Sequence, residues 1–408
     1  MEGLGCEKGL YVVGVFSYAS IFPALLYAAP VTEVSSRIIN GSDANSANWP
    51  SIVALVTRRA DAYKGRFCGG SFLGDRYVLT AAHCFDTLSA SGVDVIIGAY
   101  DLNNSSQGER IAAQKVYRHL NYNTRNLNND IAIIELAETS NLPAMTLANS
   151  LDRLALPALT PLTVAGWGVT LQSKPPQFRP ILQEVDVDLI SQSLCQIVMQ
   201  TGISADPNST NFCAARLNQD SCQGDSGGPI IIKGTGEQLG IVSWGNEVCA
   251  KAGTYGVYTN ATYFTDWIAN HTNKLSYDQV VNIGIRPLGR VSQVFSYKNL
   301  DTNTLTYTGN SFANLPAGFS VVTDGCSIKG TLALEESCSV EVAVDAQEYR
   351  LYQYDFTLQF TSSGGTKTAT SRIQLDTTPF TPNSSGGGSI GWFGLLLFAP
   401  LWMRRKAS

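Results

Sequence analysis

The stretch DSCQGDSGGP, Asp220 to Pro229, sets one serine, Ser226, among glycines and acids. A hydroxyl is a weak nucleophile and needs a neighbouring base. Gly224, Gly227 and Gly228 let the backbone turn tightly, so that N–H groups can approach a reacting carbonyl and stabilise the oxyanion formed there. Alone, GDSGGP reads equally well as a surface turn. Two other stretches tip the balance. LTAAHCF places His83 at the end of a β-type run, and NNDIAIIEL places Asp130 at the start of an apolar strand. A base, an acid able to orient it and a hydroxyl thus follow in the order His, Asp, Ser.

The surrounding motifs carry more. RIINGSDAN, FCGGSF, LTAAHC, NNDIAII, AGWG, CQGDSGGP, IVSWG and YGVYT occur in that order between residues 37 and 259. Residues 38–273 resemble a chymotrypsin-fold, trypsin-like serine protease, whose template assigns roles by geometry. The resemblance implies that Ser226 attacks the scissile carbonyl, His83 moves the proton and Asp130 holds the His83 ring. It implies an oxyanion hole from the N–H groups of Gly224 and Ser226. Asp220 matches the base of the specificity pocket and Gly245 and Gly256 its walls, so substrates carry Arg or Lys before the cut. Ser243 and Gly245 pair with the substrate backbone. Cleavage after Arg37 frees the Ile38 amine to pair with Asp225, making the chain a zymogen. Activity should then fall at alkaline pH as that amine, ordinarily near pKa about 8, loses its proton. Implied disulfides join Cys68 to Cys84, Cys195 to Cys213 and Cys222 to Cys249. No cofactor and no metal are expected, because Ala99 stands where the family's calcium loop usually has an acid.

The rest of the chain bounds this reading. Its 408 residues are 44% hydrophobic and 15% charged, a globular composition with room for more than one domain. A net charge of −5 argues against nucleic acid as a partner. Of nine cysteines none shows the C-x2-C spacing of a zinc site, and three histidines are too few for a metal cluster. Behind Cys6 an even set of eight, widely spaced, reads as disulfides in an oxidising compartment. Short strand-like runs such as SIVALV, IAIIEL and LGIVSWG fill residues 38–273, with a helix expected around ATYFTDWIANHT from the spacing of Phe264, Trp267 and Ile268. From 274 to 376 the runs alternate apolar and polar residues (QVVNIGI, TLTYTG, SCSVEVAV), matching an Ig-like sandwich. Cys326 and Cys338 are close enough to staple one loop or hairpin. The fold class is therefore all-β, a chymotrypsin-like double β-barrel followed by an Ig-like β-sandwich.

Both ends read as processing segments. Residues 1–29 read as a signal peptide or, alternatively, a membrane anchor, because from Leu10 onward they form an apolar run ending in small residues. The region before it carries two glutamates and one lysine, unlike an ordinary signal start. Residues 30–37 form a short propeptide. After a Gly/Ser-rich linker at 377–388, residues 389–408 combine an apolar run with Arg404, Arg405 and Lys406. This tail resembles a GlyGly-CTERM sorting signal, with a plain anchor as the alternative. The resemblance implies processing by a rhombosortase-type protease and export by type II secretion. The product would be an endopeptidase that is released from, or held on the outer surface of, a Gram-negative bacterium after passing the periplasm.

Overall fold

A computed structural model describes residues 38–378 except Gln172, Lys174 and Thr201. The signal peptide, propeptide, Arg37 and sorting tail read from the sequence lie outside the described residues.

Five strands, Ile52–Thr57, Arg66–Thr80, Ala132–Ser140, Glu109–Arg118 and Val93–Ile97, close into a first barrel. Their β-branched and leucine positions, Val53, Leu55, Val78, Ile133 and Ile134 among them, are fully buried. Six strands close a second: Pro161–Gly166, Gln183–Leu189, Asn211–Ala215, Gly256–Asn260, Gln238–Trp244 and Pro229–Ile232. Alternation decides which residues enter it. In Gln183–Leu189 every second residue is buried and the intervening ones are half-buried.

The expected helix divides into a 3-10 turn, Ala261–Phe264, and an α-helix, Thr265–His271. Phe264 and Ile268 are buried, as their spacing predicts. The four expected disulfides are all formed. Cys326–Cys338 staples the loop between the antiparallel strands Phe319–Asp324 and Ser337–Ala346, tying the short helix Gly325–Lys329 to the second of them.

The second domain is a sandwich of two sheets. One orders Leu275–Tyr277, Gly289–Asn299, Ser337–Ala346 and Phe319–Asp324; the other Val280–Ile285, Gly365–Asp376, Leu351–Ser362, Leu305–Asn310 and Thr331–Leu332. Buried apolar packing continues from the first barrel through Ile268 and Tyr277 into the sandwich around Phe295, Tyr297 and Phe356. Polar bonds cross the same boundary. Glu135, buried in the first barrel, accepts from the Tyr117 hydroxyl and from the Ser276 hydroxyl, both at 2.8 Å, and the Tyr277 N–H donates to the Tyr117 oxygen at 3.1 Å. Each buried polar group there has a partner, so its desolvation is compensated.

Candidate active site

The barrels bring His83, Asp130 and Ser226 to one place from three parts of the chain. His83 sits in the 3-10 turn Ala82–Phe85 that ends the strand Arg66–Thr80, pinned by the Cys68–Cys84 bond. Asp130 is fully buried just before the strand Ala132–Ser140. One Asp130 oxygen accepts the His83 main-chain N–H at 2.9 Å. The other lies 2.7 Å from His83 Nδ1 and accepts the Ser243 hydroxyl at 2.5 Å. The Thr259 hydroxyl donates to the Asp130 carbonyl at 2.8 Å. Burial disfavours the imidazolium, but the Asp130 hydrogen bond and charge outweigh it and raise His83 above 6.5.

Ser226 is carried to the same place by its main chain. Its carbonyl accepts from the Gly69 N–H at 2.7 Å, and the Cys84 sulfur lies 3.9 Å from the same oxygen. Among the described residues Ser226 Oγ makes no hydrogen bond; catalytic contacts of this kind often tighten only with substrate bound. The turn around it leaves two donors unused. The N–H groups of Asp225, Gly227 and Gly228 bond to Cys222, Val242 and Asp225 carbonyls, while among the described residues those of Gly224 and Ser226 bond to nothing. Gly224 has φ +97°, a conformation that suits glycine.

A cavity of about 190 Å³ opens beside Ser226, with Ser243, Gly245 and Gly256 on its walls and Asp220 in its lining. Asp220 is buried. One oxygen accepts the Ala250 N–H at 3.0 Å and the other has no hydrogen-bond partner. Burial pushes the carboxyl up to about 6, against the pull of the Ala250 and Ser221 N–H groups. A Cβ at Gly256 would stand 3.0 Å from the unpartnered oxygen, so the bare glycine leaves room beside it.

Ile38 is buried in the core of the second barrel. The turn it begins is held by Asn40, which donates to the Asn218 carbonyl at 2.6 Å and accepts from Gln219 at 3.2 Å. Asp225 is fully buried and accepts from the Gly168 and Cys222 N–H groups at 2.8 and 2.9 Å. Burial pushes it up to about 7. Side chains at Gly166 or Gly168 would collide with it, which accounts for both glycines of AGWG. Sequence reasoning named His83, Asp130, Ser226, Asp220 and Asp225 but missed the hydroxyls of Ser243 and Thr259, whose link to Asp130 spans more than a hundred residues of chain.

Comparison with known proteins matches residues 38–268 to the trypsin family model. The chain belongs to the trypsin family. Residues 273–376 match the HYDIN/CFA65/VesB-like Ig-like domain. Anionic trypsin of Canis lupus familiaris is 38% identical over 243 residues, 59% of this chain and 91% of that protein. The solved VesB protease of Vibrio cholerae is 74% identical with a TM-score of 0.78, covering 84% of this chain and all of that one. The secreted serine protease VesC of the same organism is 31% identical with a TM-score of 0.67, over 84% of this chain and 72% of that one. The chain is thus a trypsin-like serine protease with a following Ig-like domain.

Proposed function

We propose that the protein is a secreted endopeptidase that cuts after Arg or Lys by an acyl-enzyme route and is made as a zymogen. The observation that carries the specificity is Asp220, a buried carboxylate with one unpartnered oxygen in the cavity that Ser226 also lines. A long cationic side chain entering there brings the charge and donors this oxygen lacks. In the reaction Ser226 Oγ attacks the carbonyl carbon and passes its proton to His83 Nε2, while the Gly224 and Ser226 N–H groups take the oxyanion. His83 then protonates the leaving amine. Water repeats the cycle to free the acid. Ser243 serves twice in this reading, its hydroxyl on Asp130 and its backbone, with that of Gly245, along the substrate.

The test uses protein cut after Arg37 and two short amides with Arg or Leu before the bond, with Ser226→Ala as the silent control. Cleavage of the Arg amide alone is expected, and Asp220→Ser should lower its kcat/KM about a thousandfold, since an unpaired buried cation costs about 3–5 kcal/mol. Preference for Leu would overturn the pocket assignment. Cleavage of neither would favour a binding module.

Activation rests on Asp225. In the uncut chain its carboxyl titrates near 7 instead of 3.8, so the fold binds this proton more tightly than the unfolded chain does. The cost of burying the carboxylate therefore sets in as pH rises from about 4 to 7. A docked Ile38 amine offsets that cost. The melting-temperature gap between cut and uncut Ser226→Ala protein should widen from pH 5 to 7. It should narrow again above the amine's pKa, ordinarily about 8. A gap independent of pH would rule out the Ile38–Asp225 pair.

Export is read from the two terminal segments, 1–29 and 389–408, through rhombosortase-type processing and type II secretion. The likeness to the secreted VesC supports an extracellular destination.

A further inference from the structure

A second cleft, of about 680 Å³, lies between the domains. One wall is the loop 118–124, which continues to Asp130; the other is the strand Val280–Ile285 with Arg372 and Gln374 of its neighbour. This strand ends its sheet, and among the described residues nothing pairs with its outer edge. The Arg372 N–H donates to the Gln279 carbonyl, so Gln279 and Val281 turn their main-chain groups inward, and Val280 and Asn282 turn theirs out. Edges left open to solvent are usually guarded by charge, proline or a cover. VVNIGI has neither charge nor proline, and Val280 is 46% exposed. The irregularity after Asn282 confines the flat edge to residues 280–282.

We propose that this edge binds an extended segment of the protein substrate as an added strand, a reading that rests on the proteolytic function proposed above. The cleft lies near the catalytic site, to which two of its lining residues are tied. Arg118 pairs with Asp86 at 2.5 Å, the Tyr122 hydroxyl donates to the same carboxylate at 3.2 Å, and the Asp86 N–H donates to the His83 carbonyl at 3.1 Å. It is preformed, because Lys115–Asp278 at 3.0 Å and Arg372 to the Leu120 carbonyl at 2.9 Å hold the walls together. Its charged groups are paired with one another or with neighbours: Arg118 with Asp86, Lys115 with Asp278, Arg372 with Asp355. Recognition therefore falls to main-chain hydrogen bonds, which tolerate many sequences. The loop 118–124 forms the facing wall of the cleft, which favours a single extended segment over the edge of another sheet.

The experiment uses the full chain cut after Arg37, with Val280→Pro, which removes the outward donor, and Val280→Lys, which puts charge on the edge. Casein is the unfolded protein substrate and a short Arg amide reports the catalytic site. Casein kcat/KM should fall about tenfold in both variants, the effect of losing one or two net hydrogen bonds. Amide kcat/KM should stay within about twofold of wild type at equal melting temperature. Equal loss on both substrates, or no loss on casein, would overturn the proposal. So would a wild-type dimer in sedimentation that Val280→Lys dissociates, since a second copy would then own the edge. A wild-type chain inert on the amide would overturn the proteolytic reading itself.

Discussion

Asp130→Asn is expected to lower kcat about 10⁴-fold with KM little changed, a magnitude taken from the chymotrypsin-type template of this same family. Both Asp130 side-chain oxygens face donors only: the His83 N–H, the His83 ring at Nδ1 and the Ser243 hydroxyl. An amide must turn its NH₂ toward one of them. Turned toward Nδ1, it makes that nitrogen the acceptor and leaves the proton on Nε2, where His83 cannot receive one from Ser226. Turned the other way, it breaks the bond that orients the His83 main chain. The pH profile supplies a second readout. His83 lies above 6.5 because the Asp130 bond and charge outweigh its burial. The imidazolium form is inactive as a base, so activity falls as pH drops through the raised value. Without the carboxylate that acid limb should move to lower pH. A loss below about tenfold, or an unmoved acid limb in a variant of unchanged melting temperature, would remove Asp130 from the mechanism.

Much of the site was legible in the sequence because its chemistry packs residue types into short contiguous motifs. The Ser226 turn needs its glycines within five residues, and the two AGWG glycines yield room to a single carboxylate. What was not legible depends on contacts between distant segments. Ser243 meets Asp130 across 113 residues, and Ser276 meets Glu135 across 141. Neither serine sits in a pattern that announces a partner. Two elements escaped for a different reason. The helix Gln192–Met199 exposes Leu194 and Ile197 and buries Gln192 and Cys195, so its apolar residues mark the wrong face. The strand Gly365–Asp376 buries Lys367 and Ser371 beside Ile373 and Leu375. Lys367 is tolerated there because it pairs with Asp301 at 2.6 Å, and without that partner in view the run reads as polar.

The same long-range contacts make the Ig-like domain part of the protease's stability. A chain ended at residue 273 should lose soluble folded protein or melt about 10–20 °C lower than one ended at 378. The cut removes Leu275 and Tyr277, both buried against the first barrel, at about 1.5–3 kcal/mol each. It removes the Ser276 bond to Glu135, the Tyr277 bond to Tyr117 and the Lys274 N–H bond to the Tyr77 hydroxyl, at about 1 kcal/mol each. That total approaches the whole stability of an ordinary domain, about 5–15 kcal/mol. It also returns the Tyr117 ring to water on a barrel whose strand Ala132–Ser140 follows Asp130 directly. The surface facing Leu275–Tyr277 is the reason the first domain should not stand alone. Tyr277→Ala in the longer protein gives the intermediate case, about 3–5 kcal/mol for a large buried ring. Short-amide turnover should follow the melting temperature in both proteins. A 38–273 protein that melts with the longer one and cleaves the amide as fast would make the second domain an appendage, with its cleft free to serve substrate binding alone.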